Sequence, residues 1–135
     1  MVKRGVLSVA GAIAAVLLVR GIAVALVDVP PGFLPLAGPA PAVFFTFVLG
    51  SAAVLVYALV RRFSRSPVKT FRWISVAALL LSVVPDLWML SEAGAAQFGG
   101  STPGAVAILI VLHVAAAAVI VPGLTLGTPR AGEVS

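Results

Sequence analysis

Twelve residues in the middle of the chain carry five of its nine lysines and arginines, and a long apolar run lies on each side. The five are Arg61, Arg62, Arg65, Lys69 and Arg72, with no acidic residue among them. Cytoplasmic loops of membrane proteins retain lysine and arginine, so a basic loop between apolar segments indicates both insertion and orientation. The sequence therefore predicts a basic cytoplasmic loop at 61–72 that anchors the topology and contacts lipid headgroups.

The overall composition excludes a soluble domain. Of the 135 residues, 61% are hydrophobic and 10% are charged, and the mean hydropathy is +1.21. Soluble domains are about 45–50% apolar and about 25% charged, so this chain lacks the polar residues to cover a water-exposed surface. The net charge of +5 is concentrated at the ends of apolar segments, which predicts contact with the lipid bilayer and no nucleic-acid partner.

Residues that support redox and metal chemistry are scarce. The chain has no cysteine, which excludes disulfides, thiolate catalysis and iron–sulfur sites. Its single histidine excludes a multi-histidine metal site within one chain. We therefore expect neither a metal nor a cofactor, and no catalytic residue is identified.

Proline, glycine and charge divide the chain into four apolar segments, which predicts an all-α integral membrane four-helix bundle of two transmembrane hairpins. The predicted helices cover about 6–27, 42–60, 70–90 and 104–126, with outer loops at 28–41 and 91–103 and a short polar tail at 128–135. The proline-rich outer loop at 28–41 is expected to lie on or dip into the membrane interface. Pro85 is expected to kink the third helix or unwind one turn.

The first apolar segment has two interpretations. Lys3 and Arg4 precede a long apolar run, and Ala23 to Ala25 offers an A-x-A-like site, as in a secretory signal peptide. The run is longer than a typical signal-peptide core, and Arg20 interrupts it just before that site. These features favour a first helix that is retained in the mature protein.

Charges at the segment ends predict one orientation. Lys3, Arg4 and Arg130 fall on the side of the basic loop, whereas Asp28 and Glu92 fall on the other side. The positive-inside rule then places both termini in the cytoplasm. The expected location is the inner membrane of a prokaryote, crossed several times.

Three ionisable residues, Arg20, Asp86 and His113, fall inside the predicted spans. From the helical rise, they lie about 11, 6 and 14 Å, respectively, from the outer ends of their helices. A charge inside the bilayer costs on the order of 2.5–3.5 kcal/mol, so such groups usually face the bundle interior and find partners. The sequence thus predicts a polar site in the outer half of the membrane, with Ser82 one turn before Asp86 in support.

Each of these residues also has a structural interpretation. Arg20 either snorkels outward or pairs, with Asp28 on its own helix or with Asp86 across helices. Asp86 is either a wet carboxylate at a frayed helix end or a proton- or cation-binding group. His113 is either a neutral interhelical hydrogen-bonding residue or a proton relay, a ligand contact or an inter-subunit metal ligand. The sequence leaves these alternatives open.

Small residues favour close helix packing. Ala10, Gly11, Ala14 and Ala15 occur at small-xxx-small spacing in the first segment, and four alanines occupy 115–118. Such patterns allow the backbones of membrane helices to approach closely, within one chain or between chains. Ordinary bundle packing explains them, and the alternative is a homo-oligomer face.

Three features together resemble an uncharacterised family of small prokaryotic four-helix membrane proteins, domain of unknown function family 6069. They are the basic loop after the second helix, SVVPD at 82–86, and LHVAA at 112–116 leading to VP at 121–122. The resemblance covers nearly the whole chain. It implies the four-helix topology and a membrane location, and it carries no activity, cofactor or catalytic residue to transfer.

Three functions compete. The composition favours a non-catalytic subunit, assembly factor or lipid-organising protein, in a homo-oligomer or a larger membrane complex. The second is an oligomeric transporter or channel component that uses Asp86, His113 and Arg20. The third is an intramembrane enzyme that acts on a lipid or isoprenoid, with Asp86 and His113 as an acid–base pair within hydrogen-bond reach. The scarcity of reactive groups favours a role without catalysis.

Overall fold

A computed structural model describes residues 2–29, 31–97 and 100–126. Within these residues the chain forms five α-helices and one short 3₁₀ turn at Leu34–Leu36: α1 (Val2–Leu26), α2 (Pro39–Phe63), α3 (Pro67–Trp88), α4 (Glu92–Gln97) and α5 (Pro103–Thr125). The helices α1, α2, α3 and α5 are long and apolar enough to cross a membrane. The shortest has 22 residues, about 33 Å at the helical rise, against a hydrocarbon core of about 30 Å. The all-α prediction with four long helices is confirmed.

The four long helices form an antiparallel bundle in which α5 packs against α1, α2 and α3. Close approaches at glycine show how α1 lies against two neighbours. A Cβ on Gly11 would lie 3.3 Å from Val119 on α5, and a Cβ on Gly50 of α2 would lie 3.1 Å from Val9. Of the predicted small-residue stripe, Gly11 therefore lies at a helix interface, whereas Ala10 and Ala14 are exposed.

Two ends of the bundle can be defined from this packing. The basic end contains Lys3, Arg4 and the turn at 64–66, because the start of α1 lies beside the last part of α2, with Gly5 against Val54. The connector end contains the 3₁₀ turn and α4. Basic and acidic termini of the spans are thus separated along the bundle, as the charge pattern predicts.

Buried residues form two clusters, one toward each end. The basic-end cluster comprises Ala12, Tyr57, Phe71, Ile120 and Leu124. The connector-end cluster comprises Val16, Phe33, Leu36, Ala42, Met89, Ala105, Val106, Ile108, Leu109 and Leu112. The side chain of Tyr57, near the end of α2, is completely buried in the basic-end cluster.

The basic loop predicted at 61–72 is far shorter than expected. Helix α2 ends and α3 begins inside it, so only 64–66 lie outside helices. Pro67 starts α3 at a position where its fixed φ suits a helix and its missing N–H is not needed. The Ser64 and Thr70 hydroxyls lie 2.9 Å apart and bind each other across the turn. A tight turn therefore joins the helices, and the basic residues project from helix ends.

The two predicted outer loops contain more structure than the sequence indicated. Helix α2 begins at Pro39, three residues before the predicted start, because Pro39 and Pro41 both fall in its first turn, where backbone donors are free. The loop at 91–103 contains the short helix α4. Its end is closed by Thr102, whose hydroxyl accepts the Ala105 N–H at 3.2 Å and caps α5.

Proline does not interrupt the long helices. Helix α3 continues through Pro85 to Trp88, and the Met89 N–H donates to the Pro85 carbonyl at 3.1 Å. The unwound turn expected at Pro85 is therefore absent from this described helix. Helix α5 continues through Pro122 to Thr125 in the same way. The polar tail predicted at 128–135 lies outside the described residues.

Candidate functional site

Asp86 of α3 and His113 of α5 meet inside the bundle. The Oδ2 atom of Asp86 lies 3.0 Å from the Nδ1 atom of His113. The Asp86 side chain is 5% exposed and the His113 side chain 30% exposed. Two of the three ionisable residues predicted to share one layer of the membrane are therefore in direct contact.

This contact is an ion-pair distance and not a well-directed hydrogen bond. Neither Oδ2 of Asp86 nor Nδ1 of His113 has a partner at hydrogen-bond geometry, although both atoms are buried. The two observations agree once distance and direction are separated: the atoms are close enough to attract each other, but the N–H direction is poor. Asp86 and His113 are therefore held in contact as two buried polar atoms, each the nearest polar partner that the described structure gives the other.

Burial excludes one interpretation of Asp86. The whole residue is 3% exposed, one of two buried residues on α3, the other being Phe71. A carboxylate at a frayed, wet helix end would be exposed. Since Asp86 lies two residues before the end of α3 and still faces His113, the helix remains ordered to bring the carboxylate into the bundle.

Arg20 has a different partner from those expected. Its Nη2 donates to the Leu36 carbonyl at 2.8 Å, which ties α1 to the 3₁₀ turn of the connector. Between these described residues, no ion pair joins Arg20 to Asp28 or to Asp86. Its Nε is buried without a hydrogen-bond partner. Arg20 thus holds the connector, and Phe33 and Leu36 of that connector fill the connector-end cluster.

Ser82 does not join the pair. Its hydroxyl donates to the Leu79 carbonyl at 2.6 Å within α3. Ser75, two turns earlier on α3, donates in the same way to the Phe71 carbonyl at 2.8 Å. Serine hydroxyls often bond back to their own helix when no better partner is available. The supporting role predicted for Ser82 is therefore not what the geometry shows.

The predicted anchor residues lie around the short turn at the basic end. Arg61, Arg62, Arg65, Lys69 and Arg72 are all exposed. The Arg61 guanidinium also lies 6.0 Å from the centroid of the Tyr57 ring, within the range of a cation–π contact. Their positions suit contact with a charged surface at this end of the molecule.

Two structural features at the basic end have no clear signal in the sequence. Tyr57 and Phe71 pack with ring centroids 4.8 Å apart and join α2 to α3. Ser8 is 5% exposed and lies against Gly123 where α1 crosses α5. Aromatic residues near basic helix ends are ordinarily taken as interface anchors, and a lone serine carries no pairing signal, so neither contact was visible in the sequence.

The pair can hold or pass a proton, or lock two helices together. Among the described residues, no group of three or more His, Cys, Asp or Glu side chains could hold a metal ion. The contact also satisfies the distance that an acid–base pair requires. The contact between Asp86 and His113 is therefore compatible with a structural role and with proton binding. Arg20 and Ser82 do not contact this pair, because each bonds to a backbone carbonyl elsewhere.

The structure has four long apolar helices around a contact between an acid and a histidine. This architecture is typical of multi-pass helical membrane proteins. The chain belongs to the Family of unknown function (DUF6069), whose family model matches residues 1–130. The resemblance predicted from the SVVPD and LHVAA motifs is thereby confirmed. No curated protein and no solved structure matches the chain.

Proposed function

We propose that this is a multi-pass protein of a prokaryotic inner membrane with a non-catalytic role, as a subunit, an assembly factor or a lipid-organising protein. The main support for the proposal is that only a small part of each long helix is buried against the rest of the chain. Within the most apolar 18-residue stretch of each helix, 28% of the residues of α5 but only 6% of those of α3 are buried. Apolar faces this large require lipid or the helices of other chains as their environment.

The Asp86–His113 contact fits such a role as a clasp. Helix α3 has little other burial to hold it in place, since Phe71 is its only other buried residue. An ionisable pair that neutralises itself between two helices removes the cost of leaving either group alone in lipid. The clasp then sets the position of α3, whose outer face is available to lipid or to a partner helix.

The charge distribution supports an orientation for the inserted protein. Lys3 and Arg4 lie at the same end of the bundle as the turn at 64–66, and we place this basic end in the cytoplasm by the positive-inside rule. Both termini then face the cytoplasm, and the connector end faces outward.

Co-purification in a mild detergent tests the non-catalytic role. We expect the full chain to be isolated with a defined partner protein or as a homo-oligomer, and we expect Asp86→Asn and His113→Ala to weaken that assembly by loosening α3. Ser82→Ala is the matched control, because its hydroxyl bonds within its own helix. A monomer that carries no partner and whose variants behave like the wild type would contradict the proposal.

A second candidate, an oligomeric transporter or channel component, is favoured by the same contact. Asp86 and His113 lie 3.0 Å apart, and the His113 ring is partly exposed at the bundle surface, where another copy can reach it. Four helices are few for a transport path, so this function requires an oligomer. Proton flux into proteoliposomes that Asp86→Asn abolishes would favour it over the clasp. The same contact is also compatible with an intramembrane enzyme that acts on a lipid or isoprenoid. Turnover of a lipid by the purified protein would support that function.

A further inference from the structure

A cavity of about 500 Å³ opens at the basic end, between the start of α1 and the end of α5. Its lining residues are Lys3, Arg4, Leu7, Ser8, Val119 and Gly123. It is far from the Asp86–His113 pair, which lies toward the connector end. None of the functions considered above uses it.

The cavity changes character with depth along α1. Lys3 and Arg4 lie in the first helical turn, and Leu7 and Ser8 lie one turn further on, directly below them at a spacing of four residues. One helical turn corresponds to about 5.4 Å along the axis. The order from the end of the bundle inward is thus positive charge, then a hydroxyl beside an aliphatic side chain.

The side formed by α5 continues the same gradient. Gly123 lies against Ser8, and Val119, one turn away on α5, lies deeper, beside Gly11. Because Gly123 has no side chain, the Ser8 side chain fits against it where α1 crosses α5. Ser8 has a relative exposure of only 5%, yet it lines the cavity. A buried hydroxyl in a groove is placed to bond a polar group that enters it.

The electrostatics of the cavity favour an anion. None of the described residues that line it is acidic, and the first turn of α1 contains no acidic residue. Helix N-termini also carry partial positive charge from their unpaired N–H groups. Lys3 and Arg4 therefore add to a field that is already positive, an arrangement that a negatively charged ligand stabilises.

We propose that this cavity binds one anionic phospholipid from the adjacent membrane leaflet. The phosphate contacts Lys3 and Arg4, the ester region accepts a hydrogen bond from the Ser8 hydroxyl, and an acyl chain follows Leu7 and Val119 toward the bilayer centre. The order of charge, hydroxyl and apolar surface matches the order of groups along a phospholipid. Basic pockets between membrane helices bind anionic headgroups by this chemistry. The inference rests on the proposed membrane insertion.

Native mass spectrometry of the full chain, titrated with phosphatidylglycerol and with phosphatidylcholine of the same acyl chains, tests the site. We expect phosphatidylglycerol to bind about thirtyfold more tightly, from two basic residues near the headgroup. Lys3→Gln combined with Arg4→Gln should abolish that preference. Arg65→Gln combined with Lys69→Gln removes the same number of positive charges from exposed positions at the same end of the bundle. This variant should preserve the preference for phosphatidylglycerol.

Two further arms identify the ligand and the failure. Leu7→Trp at an exposed position should lower affinity for both lipids several-fold by filling the groove, whereas inorganic phosphate should not displace phosphatidylglycerol. Equal loss in both charge variants would show unspecific headgroup attraction and overturn the inference, as would displacement by phosphate. A chain that fails to enter lipid nanodiscs would instead contradict the membrane proposal itself, so the two failures are distinguishable. Circular dichroism confirms that each variant is folded.

Discussion

At the scale of single residues, three ionisable groups that a helical-rise estimate placed in one layer separate into two arrangements. Asp86 contacts His113 at 3.0 Å, whereas Arg20 donates to the Leu36 carbonyl. The type and approximate depth of each group follow from its position along an apolar run. The partner of each depends on which way the helix is rotated, and a one-residue change in rotation moves a side chain by about 100°.

A double-mutant cycle measures the Asp86–His113 contact. We expect Asp86→Ala and His113→Ala each to lower the free energy of unfolding, with a coupling energy of about 0.5–2 kcal/mol, since polar contacts between membrane helices are modest. Unfolding in mixed micelles, followed by circular dichroism, gives both quantities. Ser82→Ala should change stability by less than about 0.5 kcal/mol. Strict additivity of the two single effects would show that the residues do not interact.

At the scale of elements, α5 is the most buried of the four long helices and α3 is the least buried. Helix α5 packs against three neighbours and buries residues along most of its length. Helix α3 is held at two points, by Phe71 near its start and by Asp86 near its end. The sequence shows both simply as apolar segments, because lipid-facing and protein-facing positions of a membrane helix are alike in hydrophobicity.

Substituting aromatic residues on α3 tests this two-point attachment. Phe71→Ala should lower the free energy of unfolding by about 1–3 kcal/mol, below the usual cost in a water-soluble core because lipid is as apolar as the residues it replaces. Trp73→Ala is the matched control on the same helix, since Trp73 is 68% exposed, and its effect should stay within about 0.5 kcal/mol. The same mixed-micelle unfolding assay applies. Equal losses in the two variants would argue against a specific role for the Tyr57–Phe71 contact.

At the scale of the whole molecule, the bundle separates its charges. Lys3, Arg4 and the basic residues around the 64–66 turn lie at one end, while Glu92 lies on α4 at the other. A tight turn at 64–66 closes the basic end and folded connectors close the other, so most of the described chain lies in the four long helices. This polarity is the basis for the orientation that we propose.

Cysteine labelling tests the orientation without background, because the chain has no native cysteine. In intact cells, a membrane-impermeant maleimide should label Gln97→Cys at the connector end. It should reach Ser66→Cys at the basic end only after the membrane is opened. Both positions are exposed, so accessibility and not burial decides the result. Labelling of both from the same side would contradict the proposed four-span arrangement.

Local sequence determined the helical class, the number of long helices and the polarity of their ends. Those properties depend on run length, proline and charge, which act within one segment. Proline chemistry even shifted the boundaries in a way that local rules explain afterwards, at Pro39 and Pro67. The tertiary structure alone decided that Asp86 meets His113, that Arg20 holds the connector, and that Lys3, Arg4 and Ser8 line a cavity with Gly123. Each of these contacts joins residues far apart in the chain, and it exists because packing selects one rotation and one crossing point for each pair of helices.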